Sequence, residues 1–152
     1  MNLVVRNPNA NRLPMWYAPY RSGLEKVVAE FLKQNKKNFR YEDLKIEWKD
    51  LRYRTYTPDF ILDNGIIVET KGIFDNEDRR KHLAVREQHP ELDIRLVFSN
   101  AKAKLYKGSK TTYAMWCDKN EFLYSHRVIP PDWLEEKGKA VKTKRIKLKV
   151  GT

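Results

Sequence analysis

Cysteine occurs once in 152 residues, at Cys117, so neither an intrachain disulfide nor a cysteine-based zinc cluster can form, and a reducing compartment is expected. Long apolar runs are missing. No segment approaches the ~20 residues of a membrane helix, and residues 1–20, interrupted by Pro8, Pro14 and Pro19, lack the apolar stretch of a signal peptide. The chain therefore reads as neither secreted nor membrane-embedded, and as cytoplasmic. Acid is also scarce: 20 Asp and Glu stand against 31 Lys and Arg, a formal charge of +11. A surface of that sign attracts polyanions and makes nucleic acid the leading partner, without specifying any chemistry. No internal repeat or low-complexity block appears. What remains is 41% hydrophobic with four Trp, eight Tyr and six Phe, enough for one folded domain and too short for two ordinary ones.

Residues 1–20 read as an arm, residues 21–136 as the folded domain, and residues 137–152 as a basic tail that folds only on binding. Lys137 to Lys149 contains no acid. Ser22 has N-cap chemistry with Glu25 three residues on, which predicts a first helix from about Gly23 to Asn35. Aromatic and charged residues partly alternate from Phe39 to Trp48 and again from Leu51 to Tyr56, predicting two strands or one long bent strand. The acidic opening Asp75 to Asp78, the apolar Leu83 and Val85, and Pro90 beyond them predict a second helix. Asp93 to Ser99 is apolar enough for a buried strand, and Thr111 to Lys119 reads as a third helix.

The informative stretch joins Pro58-Asp59 to Glu69-Thr70-Lys71 through Asp63-Asn64-Gly65, a strong hairpin signal. If Asp63-Asn64-Gly65 is a three-residue loop with Gly65 in the left-handed region, Leu62 pairs with Ile66 and Asp59 falls opposite Glu69. Asp59, Glu69 and Lys71 then share one face, Phe60, Leu62, Ile66 and Val68 share the core face, and Ile61 and Ile67 are left out of the core. A two-residue Asn64-Gly65 turn would slip the register by one and separate the carboxylates. Opposed carboxylates repel unless a cation lies between them, and oxygen ligands suit Mg2+ or Mn2+. Such an ion, alone or as a pair, can polarise a phosphate and position water, with Lys71 orienting that water or offsetting charge. This is the PD-(D/E)-x-K nuclease pattern.

His82, His89 and His126 lack metal-ligand spacing and are expected on surfaces or helix ends. Arg21, Arg79, Arg80, Lys81 and Lys107 are candidate phosphate contacts, and Trp16, Tyr17 and Tyr20 either stack on bases or cover the core.

Longer blocks carry a family resemblance. Arg21-Ser22-Gly23-Leu24-Glu25, Tyr56-Thr57-Pro58-Asp59-Phe60, Val68-Glu69-Thr70-Lys71-Gly72, the run from Arg86 to Arg95, and Lys104 to Ser109 resemble the phage endonuclease I family, the Holliday-junction resolvases of the T-seven group of bacteriophages. The resemblance covers roughly Tyr20 to Leu134. It implies a mixed α/β, restriction-endonuclease-like core with a central mixed sheet flanked by helices. It also implies a segment-swapped homodimer bridged around Asp43 to Arg54, and metal-dependent paired nicks across four-way DNA junctions in the cytoplasm of an infected bacterium, with 5′-phosphate and 3′-hydroxyl products. By the same resemblance Glu25, Asp59, Glu69 and Lys71 form the active site. Asp59, Glu69, Glu25 and the backbone carbonyl of Thr70 hold one or two Mg2+ ions, with Mn2+ as a substitute. The competing readings are a restriction- or repair-type nuclease of the same core and a basic DNA-binding protein with inert acids.

Overall fold

Ser22 opens the first helix of the computed structural model, which describes residues 20–149. Its hydroxyl accepts the Glu25 backbone N–H at 3.0 Å, as an N-cap should. The elements in chain order are α1 (Gly23–Gln34), β1 (Phe39–Tyr41), β2 (Lys45–Asp50), β3 (Arg52–Tyr56), β4 (Phe60–Leu62), β5 (Ile66–Lys71), α2 (Asn76–Gln88), β6 (Asp93–Phe98), α3 (Tyr113–Asn120), β7 (Tyr124–His126), α4 (Pro131–Glu135) and β8 (Arg145–Ile146). The expected N-terminal arm, with Trp16 and Tyr17, lies outside the described residues apart from Tyr20. Tyr20 packs edge-on against Tyr41, with ring centroids 4.7 Å apart, and so covers core.

A five-stranded sheet in the order β1-β4-β5-β6-β7 forms the centre. Its first three strands are antiparallel and its last three parallel. Phe60 pairs with Val68 and Ile61 with Ile67, so Leu62 meets Ile66 across a three-residue loop in which Gly65 has φ +92°. The three-residue register is the one adopted. One sheet face packs Phe60, Leu62, Ile66, Val68 and Val97 against Val28, Ala29 and Leu32 of α1. At about 1.5–3 kcal/mol for each fully buried aliphatic or aromatic side chain, this cluster is a main source of stability.

The opposite face departs from expectation. Ile61 and Ile67 are buried, in a cluster with Leu44, Ile46, Trp48, Tyr56 and Val85. The reason is a second sheet, β3-β2-β8, which with α2 covers the face that the hairpin alone would leave open. Leu83, expected in the apolar stripe of α2, is exposed, and His82 takes the buried position beside Val85. His82 and His89 are therefore interior, although His89 does end its helix, while His126 is exposed. A third cluster joins Phe74, Leu96 and Phe98 to Trp116, Cys117 and Phe122.

Residues 137–149, expected to fold only on binding, run along the protein instead. β8 pairs parallel with β2, the Lys45 N–H donates to the Lys144 carbonyl, and Arg40 donates to the carbonyls of Val141 and Thr143. These contacts use backbone groups, which side-chain composition does not report, and leave Lys137, Lys139, Lys142, Lys144, Lys147 and Lys149 exposed.

Candidate active site

Asp59 immediately precedes β4 and is 6% exposed. Its Oδ2 accepts the Thr70 backbone N–H at 2.9 Å and the Thr70 hydroxyl at 2.7 Å. Continued by one residue, the β4/β5 register brings Glu69 opposite Asp59, and the β1/β4 register (Tyr41 with Phe60) brings Glu42 opposite it on the other side. The Glu42 N–H donates to the Asp59 carbonyl at 2.9 Å. Glu25 reaches the same place from the first turn of α1. Its Oε1 accepts the Arg21 backbone N–H at 2.8 Å and the Tyr41 hydroxyl, so its carboxylate turns inward instead of closing the capping box on Ser22. Glu25, Glu42 and Asp59 each offer an oxygen within 4.8 Å of the other two.

Glu69 is held separately. The Tyr56 hydroxyl donates to its Oε1 at 2.8 Å, and Lys71 Nζ lies 3.6 Å from its Oε2 and 2.9 Å from Asp78 Oδ1. Burial, then the charge of Glu69, push the Asp59 carboxyl up to about 8 against the hydrogen bonds from Thr70. Burial likewise raises Glu69, opposed by Lys71 and Lys81. For Lys71 burial acts downward, and the carboxylates of Glu69 and Asp78 outweigh it, so its ammonium is stabilised. The donors are hard carboxylate oxygens, buried, mutually repelling and close together. That set fits Mg2+ or Mn2+ and is unsuited to soft metals.

Glu25, Asp59, Glu69, Thr70 and Lys71 thus come together where β1, β4 and β5 lie side by side. The candidate phosphate contacts do not form one group. Arg21 is exposed and bonded to Glu42 at 3.1 Å; Arg79 donates to the Phe74 carbonyl; Arg80 pairs with Asp50 at 2.7 Å; Lys107 is exposed on the loop between β6 and α3. Lys81 lies 4.0 Å from Asp78 and over the Tyr56 ring, near enough for its charge to act on Glu69. Sequence reasoning missed Glu42, Tyr41, Tyr56 and Asp78. Glu42 was beyond reach without knowing that β1 neighbours β4. Tyr56 was visible only as an aromatic residue three before Asp59 and as the head of the Tyr56-Thr57-Pro58-Asp59-Phe60 block.

The fold and site define a mixed α/β protein whose acidic cluster and lysine are grouped on adjacent strands of the central sheet. The chain belongs to the phage endonuclease I family, whose sequence model matches residues 10–152 and so extends into both the arm and the tail. It is 48% identical over 133 residues to Endonuclease I of Escherichia phage T7, covering 87% of this chain and 89% of that protein. It is also 48% identical over 133 residues to Endodeoxyribonuclease 1 of Enterobacteria phage T3, covering 87% of this chain and 88% of that one.

Proposed function

We propose that this protein is a divalent-metal-dependent DNA endonuclease that resolves four-way junctions in the cytoplasm of an infected bacterium. The observation that carries the reading is the set Glu25, Asp59 and Glu69 beside Lys71, in a basic protein of the endonuclease I family. Asp59, Glu69 and the Thr70 carbonyl would hold one Mg2+, with Mn2+ able to substitute. Glu25 and Glu42 with Asp59 would hold a second. When bound, such ions polarise the scissile phosphate and lower the pKa of an attacking water. Lys71 is the proton-rich partner, its ammonium orienting the water or offsetting charge that grows on the phosphate oxygens. Thr70 fixes the Asp59 rotamer through two hydrogen bonds, and Tyr56 fixes Glu69. The products are 5′-phosphate and 3′-hydroxyl ends.

Two symmetric cuts call for two sites related by a dyad, and a segment-swapped homodimer supplies them. Support for a swap lies in the β2/β3 connection. Asp50 pairs with Arg52 around the single residue Leu51, which has φ +66° and is 99% exposed. A strained one-residue hinge favours opening into one continuous strand. Arg52, Tyr53, Arg54 and Thr55 are all exposed in the closed chain, ready to be covered by a partner.

The test is cleavage of a synthetic four-way junction with magnesium and with chelator, by the wild type and by Asp59→Ala. Metal-dependent paired nicks lost in the variant are expected. Binding by both without cutting under either condition would leave a DNA-binding protein with inert acids, and equal cutting of linear duplex would favour a repair- or restriction-type nuclease.

A further inference from the structure

Strands β5, β6 and β7 run parallel, so their C-terminal ends open on one edge of the sheet, the side on which parallel strands carry their sites. Lys71 pairs with Phe98, and Phe98 with His126. One residue beyond that row stand Gly72, Ser99 and Arg127. The Ser99 N–H donates to the Lys71 carbonyl at 3.0 Å, and the Arg127 N–H donates to the Phe98 carbonyl at 2.7 Å. Arg127 has φ +72°, and around it the Val128 N–H closes on the His126 carbonyl at 2.9 Å, a γ-turn of the rare, strained hand. Its side chain runs back across the end of β6, where Nε donates to the Ser99 carbonyl at 3.1 Å. Arg127 is exposed. Arg21, Arg40, Arg54, Arg80, Arg95 and Arg145 each pair with a carboxylate; Arg127 pairs with none among the described residues.

We propose that Arg127 positions the substrate by gripping a backbone phosphate of the strand being cut, close to the scissile one. The inference rests on the reading of this site as a DNA-cleaving centre. Strain in a non-glycine residue persists only where the surrounding structure enforces it, and it gathers at working sites. Glycine would hold this turn at lower cost, yet a long cation occupies it. With Nε committed to Ser99, the two Nη groups have no protein partner among the described residues. A guanidinium fixed on one edge and open on the other suits two phosphate oxygens. Two strand spacings separate Arg127 from Gly72, roughly 10 Å. Nucleotides rise about 3.4 Å each along one strand, so a strand with its scissile phosphate at Lys71 brings a phosphate within about three nucleotides of the cut to Arg127. Lys71, Ser99 and Arg127 all follow Leu51 in the chain, so a swap through that turn leaves their arrangement unchanged.

The experiment measures four-way-junction affinity in chelator as a function of salt, and single-turnover cleavage in magnesium at subsaturating enzyme, for wild type, Arg127→Gln and Arg127→Lys. Thermal midpoints are taken alongside; the backbone bonds of the turn survive both substitutions. Arg127→Gln should bind about tenfold more weakly, with a salt slope shallower by about 0.9 and an unchanged midpoint, while Arg127→Lys keeps most of the slope. Junctions carrying a single uncharged methylphosphonate, moved through about three nucleotides on either side of the cut, then locate the contact. At one position the substitution should slow wild type about tenfold and slow Arg127→Gln no further, since the partner is already gone. Wild-type affinity and slope in Arg127→Gln overturn the phosphate contact and leave the nuclease reading standing. So does a scan in which every position slows the variant as much as wild type, or an affinity loss that comes with a lowered midpoint at wild-type slope. A wild type that neither binds nor cuts the junction overturns both readings.

Discussion

At the scale of single residues, burial gives Asp59 its character. Its carboxyl, pushed from an ordinary 3.8 up to about 8, binds a proton in the folded chain across a range where the unfolded chain has already released it. The contribution of Asp59 to the stability of the metal-free protein should therefore fall as pH rises from about 4 to 8, because the unfolded state gains less from protons there than the folded one does. Melting in chelator between pH 5 and pH 8 checks this, and added magnesium should restore more of the midpoint at pH 8, where no proton competes for Asp59. A wild-type midpoint that gains on that of Asp59→Asn over that range would contradict it. Tyr56 offers a second handle. Tyr56→Phe removes the hydroxyl that satisfies the buried Glu69, so we expect a stability loss of about 1–3 kcal/mol in metal-free denaturant titration. Asp59→Ala should slow cleavage at least about a hundredfold, the rate equivalent of several kcal/mol of lost metal-based stabilisation.

At the scale of elements, the β4/β5 hairpin is braced from outside. The loop carries Gly65 at φ +92°, where a Cβ would stand 2.3 Å from the Lys139 carbonyl oxygen, and a Cβ on Gly138 would stand 2.3 Å from the Asn64 carbonyl oxygen. Asn64 Nδ2 adds bonds to the carbonyls of Trp133 and Glu136, at 2.9 and 3.0 Å. Gly65→Ala should destabilise by at least about 1–3 kcal/mol through backbone strain alone, with the collision added. Gly138→Ala tests the contact without a positive φ. Urea titration reads both, and unchanged midpoints would mean that the tail does not clasp the loop in solution.

For the whole molecule, charge and connectivity dominate. With a formal +11, junction affinity should drop at least about a hundredfold between roughly 50 and 200 mM salt, since each neutralised phosphate adds about 0.9 to the logarithmic slope. On the proposed swap, lengthening the Leu51 turn with flexible residues relieves the hinge and should favour monomer over dimer, with single nicks in place of paired ones. Light scattering after gel filtration checks the assembly. A dimer unaffected by the insertion would exclude a swap through that turn.

Local rules were enough to read the Ser22 cap, the acidic start of α2 and the three-residue hairpin register with Glu69 across from Asp59, because turn chemistry and side-chain alternation act over a few neighbouring residues. The +11 charge and the blocks shared with the endonuclease I family were also open to inspection in the chain itself. Only the tertiary structure decided that Glu42 flanks Asp59, that Ile61 and Ile67 are covered, that His82 is interior, and that the basic tail lies paired along β2. Each of those depends on which distant segment lies next to a given strand or face. Periodicity records that a residue has a side but not what comes to cover it, and backbone hydrogen bonds such as those of the tail leave no mark in side-chain composition.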